Sequence, residues 1–127
     1  MNCFTQCRSA RLRERELRGE IARVDDLARR LSPGIASPDG VRTVGREDIA
    51  ELVARKADLQ RERAQCVRVI AREGEHIEKA LEDEANERRK RFCMYYYQYG
   101  RSMGEAARIA DVRERTAYRW RAKLEQK

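Results

Sequence analysis

From Glu47 to Leu81 the chain runs for 35 residues without a proline, and one helical periodicity spans the whole stretch. Ile49, Leu52, Leu59, Cys66, Ile70, Ile77 and Leu81 form its main apolar seam, interrupted by Lys56 and Arg63. Val53, Ala57, Ala64, Val67 and Ala71 widen the apolar face. At about 1.5 Å per residue this predicts a rod of roughly 50 Å. A helix of that length owes its stability to packing on its apolar face more than to intrinsic propensity, so the rest of the chain has to supply partners. The stretch 8–31 supplies one, because Leu17, Ile21, Val24, Ala28 and Leu31 alternate by four and three among arginines and carboxylates. Ser32-Pro33-Gly34 is expected to stop it, and the loop that follows holds both prolines of the chain. At about 36 Å, this first helix covers only part of the rod as an antiparallel hairpin. Either a second copy packs on the overhang, giving a homodimer through the N-terminal helices, or the C-terminal domain folds back over it. The homodimer is the preferred expectation. Gly74 lies inside the rod, where glycine costs about 1 kcal/mol relative to alanine; it marks a bend, a close helix contact or an uncompensated weakness.

Composition decides what such a scaffold can serve. With 127 residues, 40% of them charged, the chain holds one domain or two very small ones and lacks the core of a typical enzyme cleft. The net charge is +7, and its placement is uneven. Residues 1–86 hold 17 Lys/Arg and 17 Asp/Glu, whereas residues 87–127 hold 12 against five, so the excess lies in the last third. Beside Trp120 and the tyrosines, that excess points to nucleic acid, the bland reading being a solvated basic surface. The opening "MNCFTQCRSARLRERE" has no apolar core of the kind a secretory leader carries, and no apolar run of 18 residues occurs. The expectation is therefore a cytoplasmic protein with no membrane partner. Cys3, Cys7, Cys66 and Cys93 are then reduced thiols. Cys3 and Cys7 lie one helical turn apart, but His76 is the only histidine and no CxxC pair exists, so no metal site is expected. Cys66 and Cys93 fall on apolar stripes and read as small core residues. His76 has no cysteine or serine partner at a recognisable spacing, and the carboxylates alternate with arginines as in ion-paired surfaces. No enzyme activity and no cofactor are expected.

The segment "LEDEANERRKRFCMYYYQYG" marks the boundary between a helical hairpin at 1–82 and a C-terminal domain at 83–127. Asp83 or Asn86 can cap its helix, and Asn86-Glu87 fits that start better. Phe92, Tyr95, Tyr96 and Tyr99 repeat at three and four, and Arg88, Arg89, Lys90 and Arg91 make a basic first turn. Cations there are unfavourable against the helix dipole without a counter-anion. A phosphate would supply one, and so would pairing with Glu82, Asp83 and Glu84. Gly100 ends this helix, and Ser102 with Glu105 reads as a capping box for the next. Met103, Ala106, Ala107 and Ala110 line one side of that short helix, and Val112 plugs the corner after it. The last helix, from Glu114, buries Ala117, Trp120 and Leu124 and displays Arg115, Tyr118, Arg119 and Ala122 on its other side. Two short helices, a tight corner and a basic second helix suit major-groove entry. The fold class expected is all-α: a long antiparallel, coiled-coil-like hairpin followed by a three-helix helix-turn-helix domain.

The residues "GRSMGEAARIADVRERTAYRW" (100–120) resemble the helix-turn-helix of sigma-factor region 4 and of phage transcriptional regulators. The whole chain resembles the phage late-gene activators of the ArpU and RinA type, in which a helical N-terminal part precedes a sigma-like DNA-binding end. The resemblance implies a positioning helix at Ser102 to Ala110 and a recognition helix at Glu114 to Leu124. It implies a phage-encoded, sequence-specific regulator of transcription that binds double-stranded DNA, with RNA polymerase as a further partner. Glu114, Arg115, Tyr118 and Arg119 would read base edges. Ser102, Arg113, Thr116, Arg121, Lys123 and the cluster Arg88, Arg89, Lys90 and Arg91 would hold phosphates. The chain departs from the pattern twice, with Asp111 where the turn usually has glycine and Arg113 where the helix usually has a Ser or Thr cap. Two other classes compete: a DNA-packaging subunit like the small terminases, and a helical module that binds polymerase or a sigma factor.

Overall fold

A computed structural model describes residues 2–31 and 46–126. The expected stop at Ser32-Pro33-Gly34 and the loop after it lie outside the described residues. The described chain is all-α. Its helices are α1 (Cys3–Arg30), α2 (Arg46–Ala80), α3 (Glu87–Cys93), α4 (Met103–Ile109) and α5 (Glu114–Glu125), and α3 runs on into a π-helical turn, Met94–Gln98.

The first helix begins five residues before the expected Arg8, and its first polar residues explain why. Asn2 Oδ1 accepts from the Thr5 N–H (3.1 Å), while the Asn2 N–H donates to Thr5 Oγ1 (3.2 Å). This is a reciprocal capping box with threonine in the place glutamate usually takes. The cap also reaches across the fold, since Asn2 Nδ2 donates to the Leu124 carbonyl at 2.6 Å.

Packing divides the chain into two compact units, one of residues Met1–Glu14 with Cys66–Lys127 and the other of Arg15–Gln65. This grouping differs from a division at residue 82, because the first turns of α1 and the last turns of α2 pack with the C-terminal helices. In that larger unit Phe4, Cys7, Ile77, Phe92, Cys93, Tyr96, Tyr97 and the alanines of α4 form one buried cluster with Ala117 and Leu124. The end of the rod is therefore covered by the C-terminal helices, the second of the two readings of the overhang. Gly74 marks a close contact, for its carbonyl accepts from Gln98 Nε2 at 3.2 Å. In the smaller unit Leu17 and Val24 are buried, Lys56 Nζ pairs with Asp25 Oδ1 at 2.7 Å, and Leu27 and Val53 remain exposed.

The tyrosine segment departs from simple periodicity. Tyr99 N–H bonds to the Met94 carbonyl five residues back (3.0 Å), the spacing of a π turn. The wider turn changes which rings face inward. Tyr97, absent from the expected three-and-four stripe, is fully buried beside Phe92, while Tyr99 is exposed and packs edge-on against Tyr95. Three carbonyls at the end of the tyrosine segment and in the link to α4 accept from arginines of α1, where a helix end leaves carbonyls open to other donors. Arg8 Nη1 donates to the Tyr96 carbonyl (2.5 Å) and the Arg101 carbonyl (2.8 Å), with its guanidinium 3.7 Å over the Tyr96 ring. Arg11 Nε donates to the Gln98 carbonyl at 2.9 Å.

Two outcomes are expected. Arg8→Ala removes charge-assisted bonds to two carbonyls and should lower unfolding free energy by about 1.5–3 kcal/mol, read by urea denaturation; a change within experimental error would contradict the role assigned to it. Burial pushes the Cys7 thiol up to about 11 and the Cys93 thiol up to about 12. Because the folded values are raised, unfolded chains lose these protons first. Stability should hold below pH 9 and fall as pH rises from there, by up to about 1.4 kcal/mol per pH unit for each thiol. A flat profile between pH 7 and 10.5 would contradict their burial.

Candidate nucleic-acid interface

Three helix starts and two left-handed residues position the candidate side chains. Asn86 caps α3, its Oδ1 accepting from the Arg88 and Arg89 N–H groups at 3.1 and 3.2 Å. Gly100 closes the tyrosine segment at φ 68°, and the Arg101 N–H returns to the Tyr95 carbonyl (2.9 Å). Ser102 then caps α4 by accepting from the Glu105 N–H at 3.2 Å. The Glu105 carboxylate answers at the Ser102 hydroxyl (3.3 Å) and pairs with Arg101.

The corner after α4 follows from its backbone hydrogen bonds. Asp111 stands at φ 60°, the one left-handed residue other than glycine among the described residues. Around it the Val112 N–H bonds to the Ala107 carbonyl (3.0 Å) and the Asp111 N–H to the Arg108 carbonyl (3.1 Å), the paired bonds of a Schellman ending. Aspartate tolerates this conformation better than most residues with a side chain. Arg113 occupies the cap position of α5 in extended conformation with no side-chain cap bond. Ala106, Ala107 and Ala110 are buried where α4 meets its neighbours, and Ala107 is small at the close approach.

α5 separates an inner from an outer side. Ala117 and Leu124 are buried, and Trp120 is half-buried with its ring 5.8 Å from that of Phe92. On the outer side Arg115, Arg119 and Lys123 are exposed and Tyr118 keeps 48% of its surface, while Arg113 and Glu114 are exposed at the N-terminal end, where the Glu114 carboxylate lies against Gly104 of α4. Among the described residues, none of Arg113, Arg115, Arg119 and Lys123 forms an ion pair, so their charges face solvent. The arrangement allows an anionic or hydrogen-bonding partner to lie along one side of α5 without breaking an existing pair.

The remaining candidates sit elsewhere or are occupied. Arg121 is half-buried, pairs with Glu125 (3.5 Å) and lies 5.1 Å from the Tyr118 ring, and its hydrogen bond to Tyr96 raises it above the ordinary arginine value. In the basic cluster, Arg88 pairs with Asp111 (3.6 Å), Arg89 with Glu84 (3.7 Å) and Lys90 with Glu87 (3.9 Å), while Arg91 is exposed. The cluster is thus largely paired within the chain, and of the expected acidic partners only Glu84 is used. Thr116 is half-buried beside the turn. Arg108, which no sequence motif singles out, is exposed on α4 and lines the same cleft as Arg113. Its only sequence signal is a fifth-residue spacing from Arg113 across the corner.

No family model, curated protein or solved structure matches this chain.

The uncapped start of α5 is directly testable. Arg113→Ser supplies the missing acceptor and should raise unfolding free energy by about 1 kcal/mol, measured by thermal or urea unfolding. A loss of stability would show that Arg113 contributes more to the fold than its exposed position indicates.

Proposed function

We propose that the chain is a sequence-specific double-stranded DNA-binding protein that regulates transcription, with α4 and α5 acting as a helix-turn-helix. The observation that carries this reading is the outer side of α5, where Arg115 and Arg119 are exposed without ion pairs while Ala117 and Leu124 anchor the opposite side. An α-helix fits the major groove, and arginine donates bidentately to guanine. Arg115 and Arg119, with Tyr118 and Glu114, read base edges in this account. Arg113 and Lys123 hold phosphates, which fix register without carrying sequence information. The reading assigns the chain no catalysis.

A homodimer through the N-terminal helices belongs to the same proposal, on a surface other than the overhang that the C-terminal helices cover. The unit Arg15–Gln65 leaves Leu27 at 46% and Val53 at 63% of their surface exposed, which a second copy would cover. Phage origin rests on the resemblance alone, which covers about residues 86–124 for the motif and the order of elements for the rest of the chain.

Base readers and phosphate holders fail differently when removed. Arg119→Ala should relax sequence preference at one position, costing about 1–3 kcal/mol against the preferred duplex. Lys123→Ala should weaken every duplex alike and reduce the slope of log affinity against log salt by about 1. Competition gel shifts over a salt series read both. If the two variants lose the same preference, the division of roles is wrong.

A further inference from the structure

A cleft of about 850 Å³ opens between the start of α3, the exposed side of α4 and the first turns of α5. It is open to solvent over much of its extent rather than enclosed. Each of the three elements contributes one arginine to its lining: Arg88, Arg108 and Arg113. Trp120 forms part of the wall, half-buried, with Phe92 against it on the core side.

The carboxylates in the cleft leave this charge partly free. Arg88 is held by Asp111 at 3.6 Å in an exposed pair, which a better anion displaces at little cost. The Glu114 carboxylate lies against Gly104, with Oε1 2.8 Å from where a Cβ would stand on that glycine. Arg108 and Arg113 have no ion pair among the described residues. Guanidinium forks match phosphate oxygens in geometry and charge, and an indole face accepts a stacked base.

We propose that this cleft binds a nucleotide, with its phosphate on Arg108 and Arg113 and its base along Trp120. Arg88 joins the phosphate when Asp111 gives way. The ligand chemistry, a phosphate beside an aromatic base, has two sources: a free nucleotide, or one unit of a DNA strand. The site goes beyond the regulatory reading, because a free nucleotide fills it with no duplex present.

Trp120 is the single tryptophan of the chain, so its emission reports occupancy. The full chain is titrated with adenosine triphosphate, with inorganic pyrophosphate as competitor, and separately with a short DNA duplex. Saturable quenching by the nucleotide, reversed by pyrophosphate, identifies a free nucleotide; saturable quenching by the duplex alone identifies a strand nucleotide only where Arg108→Ala removes it, because Arg113 already holds phosphate in the regulatory reading. Either result supports the site when Arg108→Ala and Arg113→Ala each weaken it by about tenfold or more and Arg55→Ala, on α2 outside the cleft, leaves it unchanged. Arg108→Lys keeps the charge without the fork and should lose part of the affinity. Circular dichroism melting verifies that the variants fold. Absence of saturable quenching, or quenching indifferent to Arg108 and Arg113, overturns the site. If a duplex still shifts in a gel under that outcome, the cleft proposal fails while the DNA reading stands.

Discussion

Arg8 holds the C-terminal helices together at their least regular point. The tyrosine segment ends in a π turn and passes through Gly100 to the next helix, and carbonyls at a helix end have to find partners outside it. Arg8 and Arg11 supply them from the first turns of α1 to the carbonyls of Tyr96, Gln98 and Arg101. The aromatic core then closes around the same place, with Phe4 5.1 Å from Tyr97 and Phe92 stacked on Tyr96 at 5.3 Å. The last turn of α5 is tied in by Asn2 at the Leu124 carbonyl. The start of the chain is thus part of the C-terminal structure, and the exposed side of α5 is oriented by residues more than eighty positions away.

Local backbone chemistry was the most legible part of this architecture. Asn86 and Ser102 cap the helices they were expected to cap, Gly100 and Asp111 take left-handed conformations, and Arg113 leaves α5 uncapped. These features depend on residues within a few positions of one another, so sequence spacing carries them. The span of α2 was legible for a related reason, since a long uninterrupted apolar period leaves few alternatives.

Features that depend on distant partners were not legible. A pattern of threes and fours places Tyr99 inward and omits Tyr97, because nothing local announces that the helix will widen into a π turn. Arg8 and Arg11 look like solvated charges on an amphipathic helix, and only the packed structure brings carbonyls to them. Cys7 belongs to the same class: its sequence position gives no sign of the core, whereas the packed structure buries it completely. In the candidate interface, the outer arginines of α5 were readable from helical phase. The internal pairing of Arg121 and most of the 88–91 cluster, and the position of Arg108 at the cleft, required the tertiary arrangement.

The account rests on α5 presenting an arginine side that duplex DNA can engage. Selection of bound duplexes from a random-sequence pool by the full chain tests this most directly. The account predicts enrichment of a short common sequence containing guanines, lost or altered when the pool is selected with Arg115→Ala. A pool that shows no enrichment after repeated rounds, or one whose consensus survives that substitution intact, would contradict it.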